Sequence, residues 1–502
     1  MASDFFKKIF RVPFFLYLLP FFFVLHGFTE NYFLVPVPDS FFLLLKYSGA
    51  GIVLNLLFLL IFKNNYKASF YSFLLLLVYF FFGAGHDALK SVFPSNFFSR
   101  YVFVMPFIFL LLIFAFIVVR RKKMFIKPTV YVNTVFIILI LLEIFLLSVK
   151  ISRYDRRQQL ASIHKEFTLC DTCNKPDIYL IVMDEYAGEK TLNEIFDFDN
   201  SEFITQLKAR NFHVVNNSFS NYNLTPTSIA SLLNINYVNY KGRNLHDIAM
   251  APVYHLIDTN ILVPFLKFHG YEFFNNSVFT VNGQPPMAIQ SFTPVSTRII
   301  ESQTLLNRLV RDLKFHFDKW KLLKRNSKDD YAVLNNNNKI LKNIKDQVVR
   351  KKQKPLFSYT HLTMPHSRYY FNRHGQPYPS EAVAEGTQWN EEHYLEYLLY
   401  TNDVLIELLD FILNNSASPP VIILISDHGF RYFSKKVNEE YHFYNLNATY
   451  LPAQYEPDFT DSLSNISYMR RLMNTLFRQN LSADRQERFF VPMMKPEKSN
   501  LK

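Results

Sequence analysis

The chain has 502 residues, 49% of them hydrophobic and 17% aromatic, yet it carries a formal charge of +12. One soluble globule does not combine those values, and the length suffices for two or three domains. The conflict resolves when the sequence is divided near Lys150, because nearly all the long apolar runs precede it.

Five runs read as membrane spans: Phe14 to Phe28, Gly49 to Phe62, Phe70 to Gly85, Tyr101 to Val119 and Val130 to Val149. A span takes about 20 mainly apolar residues, so the second and third must draw on flanking residues such as Phe41 to Lys46. Lys7, Lys8 and Arg11 precede the first span. Lys63 and Lys67 follow the second, and Arg120, Arg121, Lys122, Lys123 and Lys127 separate the last two. With five spans these groups share one side, which the positive-inside rule makes the cytoplasm. Everything after Lys150 is then exported. The first run has no small-residue cleavage site and is followed by further spans, so it does not read as a signal peptide.

The expected division is a transmembrane domain over 1–150, a juxtamembrane linker over 151–175, a catalytic domain over 176–480 and a tail over 481–502. The linker holds the only two cysteines, Cys170 and Cys173 in CDTC. Such a pair can be a redox couple or half a zinc site. An oxidising compartment favours a small local disulfide or two idle thiols.

Beyond the linker, apolar runs with strand character alternate with helical patterns. Asp177 to Met183 ends at Asp184-Glu185, and FHVVNNSFS (212–220), KPLFSYTHLTMPH (354–366) and PPVIILISDHG (419–429) follow. NSEFITQLKARN and HYLEYLLYTNDVLIELLDFILNN carry helical spacing between them. The alternation predicts an α/β sheet covered on both faces. VLNNNNKILKN (333–343) reads as a loop. LLNRLVRDLKFHFDKWKLLKR (305–325) places Leu306, Leu309, Leu313, Phe317 and Trp320 on one helical face and Arg308, Arg311, Lys314 and Lys321 elsewhere. That helix either rests on an anionic membrane surface or covers one face of the sheet.

Open α/β sheets take ligands at the carboxyl ends of their strands. Two strand ends carry metal-type ligands: Asp184, with Glu185 as a second ligand or a solvated neighbour (the favoured reading), and Asp427-His428. Between them in sequence, NYNLTPTSIASLLN (221–234) turns from a loop into an apolar helix near Thr227 or Ser228. Hydroxyls there are either N-caps or groups placed among free N–H donors, where a phosphate binds. Two carboxylates and an imidazole suit zinc or manganese, zinc in preference. Such an ion lowers the pKa of a nearby hydroxyl and makes threonine a nucleophile.

The order IVMDE, TPTSIASLL, HLTMPH, SDHG resembles the alkaline phosphatase/sulfatase superfamily. The five spans plus exported domain resemble the membrane phosphoethanolamine transferases and lipoteichoic acid synthases. The resemblance implies an alkaline phosphatase-like fold with Asp184, Thr225, Asp427 and His428 around one or more divalent ions. It implies Thr225 as nucleophile, His366 as a second catalytic residue, and His361 and His442 as substrate-binding residues. The transferases usually carry Glu where Asp184 stands. Sulfatases carry C-x-P-S-R, but no cysteine occurs here and Ile229 replaces the arginine, so a formylglycine mechanism is disfavoured. The expected function is transfer of phosphoethanolamine or phosphoglycerol from a membrane phospholipid to an envelope lipid or glycan, at the inner membrane and without a nucleic-acid partner. Alternatives are a sulfatase-like phosphodiesterase or sulfuric ester hydrolase, and an inactive membrane scaffold.

Overall fold

The computed structural model describes residues 11–491 apart from 33–34, 94–96, 123–124, 154–166, 239–249, 288–296, 311, 313–330, 381, 384–386 and 457. Lys7, Lys8, Lys123 and most of the 305–325 amphipathic pattern lie outside the described residues. The chain forms two compact units. One comprises Met1–Asp155 with Pro294–Arg325, the other Arg156–Thr293 with Asn326–Lys502. The linear division expected from sequence holds no excursion, whereas the described residues 297–310 group with the apolar helices.

Among the described residues, the first unit holds five apolar helices: α1 (Phe15–Glu30), α2 (Val37–Phe62), α3 (Asn65–Val92), α4 (Tyr101–Arg121) and α5 (Ile126–Arg153). The last four are long and apolar enough to cross a membrane, while α1, at 16 residues, is shorter. Helix α1 is the buried member, packing Phe15, Leu16, Leu19 and Phe23 against α2, α3 and α5. Its start lacks a local cap. Instead Asn133 of α5 accepts from the Phe15 N–H at 2.7 Å, supplying from a neighbouring helix the partner that a helix terminus needs. The excursion joins this unit through polar contacts: Gly83 N–H donates to Gln303 O at 2.9 Å, and the Arg308 guanidinium forks onto Asp87. A Cβ at Gly83 would meet Gln303 O at 2.6 Å, so the approach requires glycine. The described part of the amphipathic pattern thus groups with the apolar helices.

The second unit is built on a sheet whose chain order is β1 (Ile178–Asp184), β2 (His213–Val214), β3 (Asn217–Phe219), β4 (Glu272–Asn276), β5 (Leu356–Pro365), β6 (Val421–Ser426), β7 (Asn447–Tyr450) and β8 (Ser462–Ser464). Six strands lie in the order β2-β7-β6-β1-β5-β4, and β3 pairs with β8 separately. Strands β4, β5, β1 and β6 are parallel; β7 is antiparallel to both its neighbours, β6 and β2, so β2 runs in the direction of the other four. Every residue of β1, β5 and β6 is buried, as expected for strands covered on both faces. The helices in order are α6 (Glu189–Phe196), α7 (Ser201–Ala209), α8 (Thr225–Asn234), α9 (Met250–Asp258), α10 (Leu262–Phe268), α11 (Arg298–Glu301, in the excursion), α12 (Ala332–Val349), α13 (Glu391–Asn415) and α14 (Asn465–Phe477). They contact one another in two groups, α7-α12-α13 and α8-α9-α10-α14. The expected α/β architecture is therefore present.

One expectation fails. The asparagine-rich stretch is part of α12, not a loop. Asparagine disfavours helices because its side chain competes for local backbone groups. Here Asn337 and Asn343 have partners in the sheet. Asn337 donates to Thr363 O at 3.0 Å and accepts from Thr363 N–H at 2.9 Å. Ile340, Ile344 and Val348 bury the same side, at the four-residue spacing of one helical face. The two cysteines form a disulfide, with Cα atoms 5.5 Å apart.

Because Asn337 satisfies both backbone groups of a buried strand residue, Asn337→Ala should lower stability by about 1–3 kcal/mol. Asn338→Ala, at an exposed position, should change it little; chemical denaturation of both variants checks the pair.

Candidate active site

Strands β1 and β6 are neighbours in register, Met183 opposite Ser426, so their carboxyl ends release Asp184 and Asp427-His428 side by side. Asp427 N–H donates to Met183 O at 3.0 Å, continuing the pairing one residue past the strand. Ser426 Oγ accepts from Tyr186 N–H at 2.9 Å. The chain after Asp184 then turns sharply: Glu185 has φ +64°, a left-handed conformation uncommon outside glycine. Tyr394 holds that turn, donating its hydroxyl to Glu185 O and accepting from Ala187 N–H, each at 3.0 Å. Gly429 is required by crowding, since a Cβ would meet Tyr444 O at 2.4 Å.

The oxygens of Asp427 are divided between tasks. Oδ1 accepts from the N–H groups of Glu185 at 3.0 Å and His428 at 2.8 Å. Oδ2 has no hydrogen-bond partner, and neither has Asp184 Oδ1. His428 donates Nδ1–H to Gly429 O at 2.8 Å, which leaves the Nε2 lone pair facing Asp427 Oδ2 at 3.4 Å and Asp184 Oδ1 at 3.8 Å. A histidine ligand held by a backbone carbonyl through its other nitrogen is the usual arrangement at metals. The three residues are buried, with ligand atoms within 4.8 Å of one another. Burial and the Asp184 charge push the Asp427 carboxyl well above its ordinary range. Burial, then the Arg431 charge, push His428 well below its own. Two orphaned carboxylate oxygens and one imidazole lone pair form a donor set that fits a divalent cation, whose charge would favour the ionised Asp427 carboxylate and keep His428 neutral.

Thr225 is the first residue of α8, and its hydroxyl lies 3.1 Å from His428 Nε2. Its neighbours are otherwise engaged. Thr227 Oγ1 donates to Leu224 O at 2.9 Å, and Ser228 Oγ donates to Asp427 O, anchoring α8 to the end of β6. Of the three hydroxyls that could cap this helix, Thr225 is the one directed at the carboxylate–imidazole cluster.

His366 lies just past β5, with its backbone N–H on Asp184 O at 3.2 Å. Its Nδ1–H donates to Ser367 O at 2.6 Å, and its Nε2 accepts from Arg431 Nη2 at 3.1 Å. His361, within β5, is buried; Tyr359 OH reaches its Nδ1 at 3.4 Å and its Nε2 has no partner. Burial lowers the His361 pKa to about 4 against the opposing pull of Asp184. His442 closes a short helical turn, Glu439–His442, with its ring against Phe433 and Phe490; burial and then Arg431 lower its pKa to about 4.

Two features differ from the sequence reading. Glu185, favoured as a solvated neighbour, is fully buried: Oε1 accepts from Arg431 N–H at 2.9 Å and Nε at 3.2 Å, and Oε2 lies 3.5 Å from His366 Nε2. Arg431 is not among the candidate residues that the sequence marks. Its position two residues after Gly429 in SDHGFR was the available signal, and it supplies the buried positive charge between Glu185 and His366.

Among solved structures, the domain is similar to the C-terminal periplasmic domain of EptC from Escherichia coli, at 14% identity and TM-score 0.40, covering 62% of this chain and 86% of that one. The periplasmic domain of phosphoethanolamine transferase EptC from Campylobacter jejuni gives 14% identity and TM-score 0.36, covering 62% and 92%. The soluble domain of lipooligosaccharide phosphoethanolamine transferase A from Neisseria meningitidis gives 13% identity and TM-score 0.38, covering 61% and 89%. No curated protein matches the chain. The family model described as Sulfatase matches residues 176–459, more than half of the chain, and takes in every strand end that builds the site. The chain therefore belongs to the sulfatase family.

Proposed function

We propose that the protein is a metal-dependent membrane transferase that moves a phospho-head-group, phosphoethanolamine or phosphoglycerol, from a phospholipid to an envelope lipid or glycan. The observation that carries this reading is the Thr225 hydroxyl at the head of α8, 3.1 Å from an imidazole nitrogen within the buried Asp184–Asp427–His428 donor set. A cation held by those three residues, zinc in preference to manganese, would lower the pKa of the hydroxyl beside it. The apolar helices suit a donor that resides in the bilayer, and the Cys170–Cys173 disulfide suits an exported catalytic domain on the outer face of the cytoplasmic membrane.

In this mechanism the Thr225 oxygen attacks the donor phosphorus. The Thr225 O–P bond forms as the bond from phosphorus to the diacylglycerol oxygen breaks, and that oxygen takes a proton. Water supplies that proton. His361 is kept neutral by burial; with the Tyr359 hydroxyl on Nδ1, its unpartnered Nε2–H can donate a hydrogen bond to a phosphoryl oxygen, while His366, with both nitrogens engaged, holds Arg431. In the second half-reaction the oxygen of an acceptor hydroxyl attacks phosphorus, its proton passes to water, and the bond from phosphorus to Thr225 Oγ1 breaks. Arg431, held by Glu185 and His366, supplies positive charge for the phosphoryl oxygens, and His442 borders the same region. A formylglycine route to sulfate esters finds no support, because both cysteines are joined to each other.

Thr225→Ala and Thr225→Val should abolish turnover with folding retained, and Thr225→Ser should keep part of it. Thr227→Ala should cost only about 0.5–2 kcal/mol of stability. Incubation of the wild type with donor lipid and no acceptor should leave a head-group phosphate on Thr225, read by peptide mass spectrometry. Turnover by Thr225→Val at the wild-type rate would sink the covalent mechanism.

Asp427→Ala and His428→Ala should each lower the metal content of the purified protein, measured by elemental analysis, while circular dichroism stays unchanged. Full metal content in both variants would remove the proposed site. For topology, a reporter fused after Lys150 should be extracytoplasmic and one placed between Arg121 and Lys127 cytoplasmic; both on one side would contradict the export of the catalytic domain.

A further inference from the structure

The segment after α14 runs back to the loop that precedes Thr225. It is secured first on α14 and its surroundings. Asn474 donates to Leu481 O at 3.0 Å and accepts from Leu481 N–H at 2.9 Å. The hydroxyls of Tyr237 and Ser467 donate to Arg485 O at 2.7 and 3.0 Å. Residues 487–491 then lie along the loop 221–223, and successive residues face opposite ways, the period of an extended chain. The odd ones meet the loop. Glu487 O accepts from Asn221 Nδ2 at 2.8 Å, and Phe489 N–H donates to Asn221 O at 2.8 Å, with its ring stacked on Tyr222 at 5.2 Å. Val491 O accepts from Asn223 Nδ2 at 2.9 Å, and Val491 N–H donates to Asn223 Oδ1 at 2.8 Å. The even ones meet Phe219 and the chain around His442. The Arg488 guanidinium lies over the Phe219 and Tyr444 rings, at 4.0 and 5.1 Å, and the Phe490 ring is 5.2 Å from that of His442.

Asn221 and Asn223 are buried, and asparagine side chains ordinarily turn onto backbone close by in sequence. Here α8 starts with no side-chain cap, and both asparagines are committed to distant chain, Asn221 also accepting from Ile466 N–H at 3.0 Å. We infer that residues 487–491 are a strap that positions Thr225, with Asn223 as the positioning residue. The inference rests on Thr225 being the nucleophile. Ser228 holds α8 one turn in from its start, which leaves the first residue to be fixed from the loop side. A displacement of about 1 Å at a reacting atom costs about 100-fold in rate. Anchoring of the chain end alone does not call for these contacts, because Leu481 and Arg485 are already held.

The test uses the full chain with phosphatidylethanolamine and phosphatidylglycerol together and no acceptor. Adduct formation on Thr225 is timed by peptide mass spectrometry, beside metal content and thermal unfolding. Asn223→Ala should slow labelling about 100-fold at saturating lipid, with metal content unchanged. Asn474→Ala removes an equivalent pair of bonds to the same segment and should label at the wild-type rate, although both variants lose stability. Equal labelling rates in the two variants, with the wild type labelled on Thr225, would overturn the strap alone. A wild type that carries no adduct on Thr225 would remove the nucleophile, and the strap with it. Should Asn223→Ala fail to fold, Phe489→Leu decides, since it removes the ring stacked on Tyr222 and leaves the backbone bonds. It should slow labelling with metal retained, and labelling at the wild-type rate would overturn the inference.

Discussion

The site depends on one pairing. Because β6 lies parallel to β1 with Met183 opposite Ser426, two acidic strand ends emerge within a few ångströms of each other in a buried region. Backbone N–H groups consume one oxygen of Asp427, and a carbonyl consumes one nitrogen of His428. What remains is an inward-facing set of lone pairs: Asp184 Oδ1 and Asp427 Oδ2 have no hydrogen-bond partner, and the Thr225 hydroxyl stands 3.1 Å from His428 Nε2. Buried carboxylates in that condition are costly, and a divalent cation is the natural compensation.

Around that pairing, each neighbour is held by a contact that also keeps it out of the way. Ser228 ties α8 to the end of β6 through the Asp427 carbonyl, which fixes where the first residue of the helix stands. Thr227 spends its hydroxyl on its own turn. The left-handed turn at Glu185 sends its carboxylate away from Asp184 and toward Arg431 and His366. Adjacent acids in sequence thus serve separate clusters, one open for a cation and one closed by a guanidinium.

The apolar unit shows the same economy in a different medium. Where a short helix begins without its own cap, an asparagine from a neighbouring helix provides one, as a bilayer demands when no water is at hand. The excursion 297–310 returns to these helices from the middle of the catalytic sequence. The catalytic unit is therefore tied covalently to the apolar unit on both sides of that excursion, as well as at the linker.

The sequence by itself determined much here. The five apolar helices follow from runs too long and too greasy for a soluble core. The α/β class follows from strand runs such as Val421–Ser426 alternating with helical spacing. Asp184, Asp427 and His428 were legible because metal-type ligands at the carboxyl ends of apolar strands form a local pattern. Three things were decided only by tertiary structure. The helix Ala332–Val349 forms although its asparagines argue for a loop, because partners such as the Thr363 backbone lie far away in sequence. Which hydroxyl of Thr225, Thr227 and Ser228 faces the carboxylate–imidazole cluster depends on which of them finds a backbone carbonyl, and spacing along one helix does not encode that. Glu185 and Arg431 became a buried ion pair through the turn at φ +64°. Local sequence shows which groups a strand end offers, but which of them remain unpaired depends on contacts between residues distant along the chain.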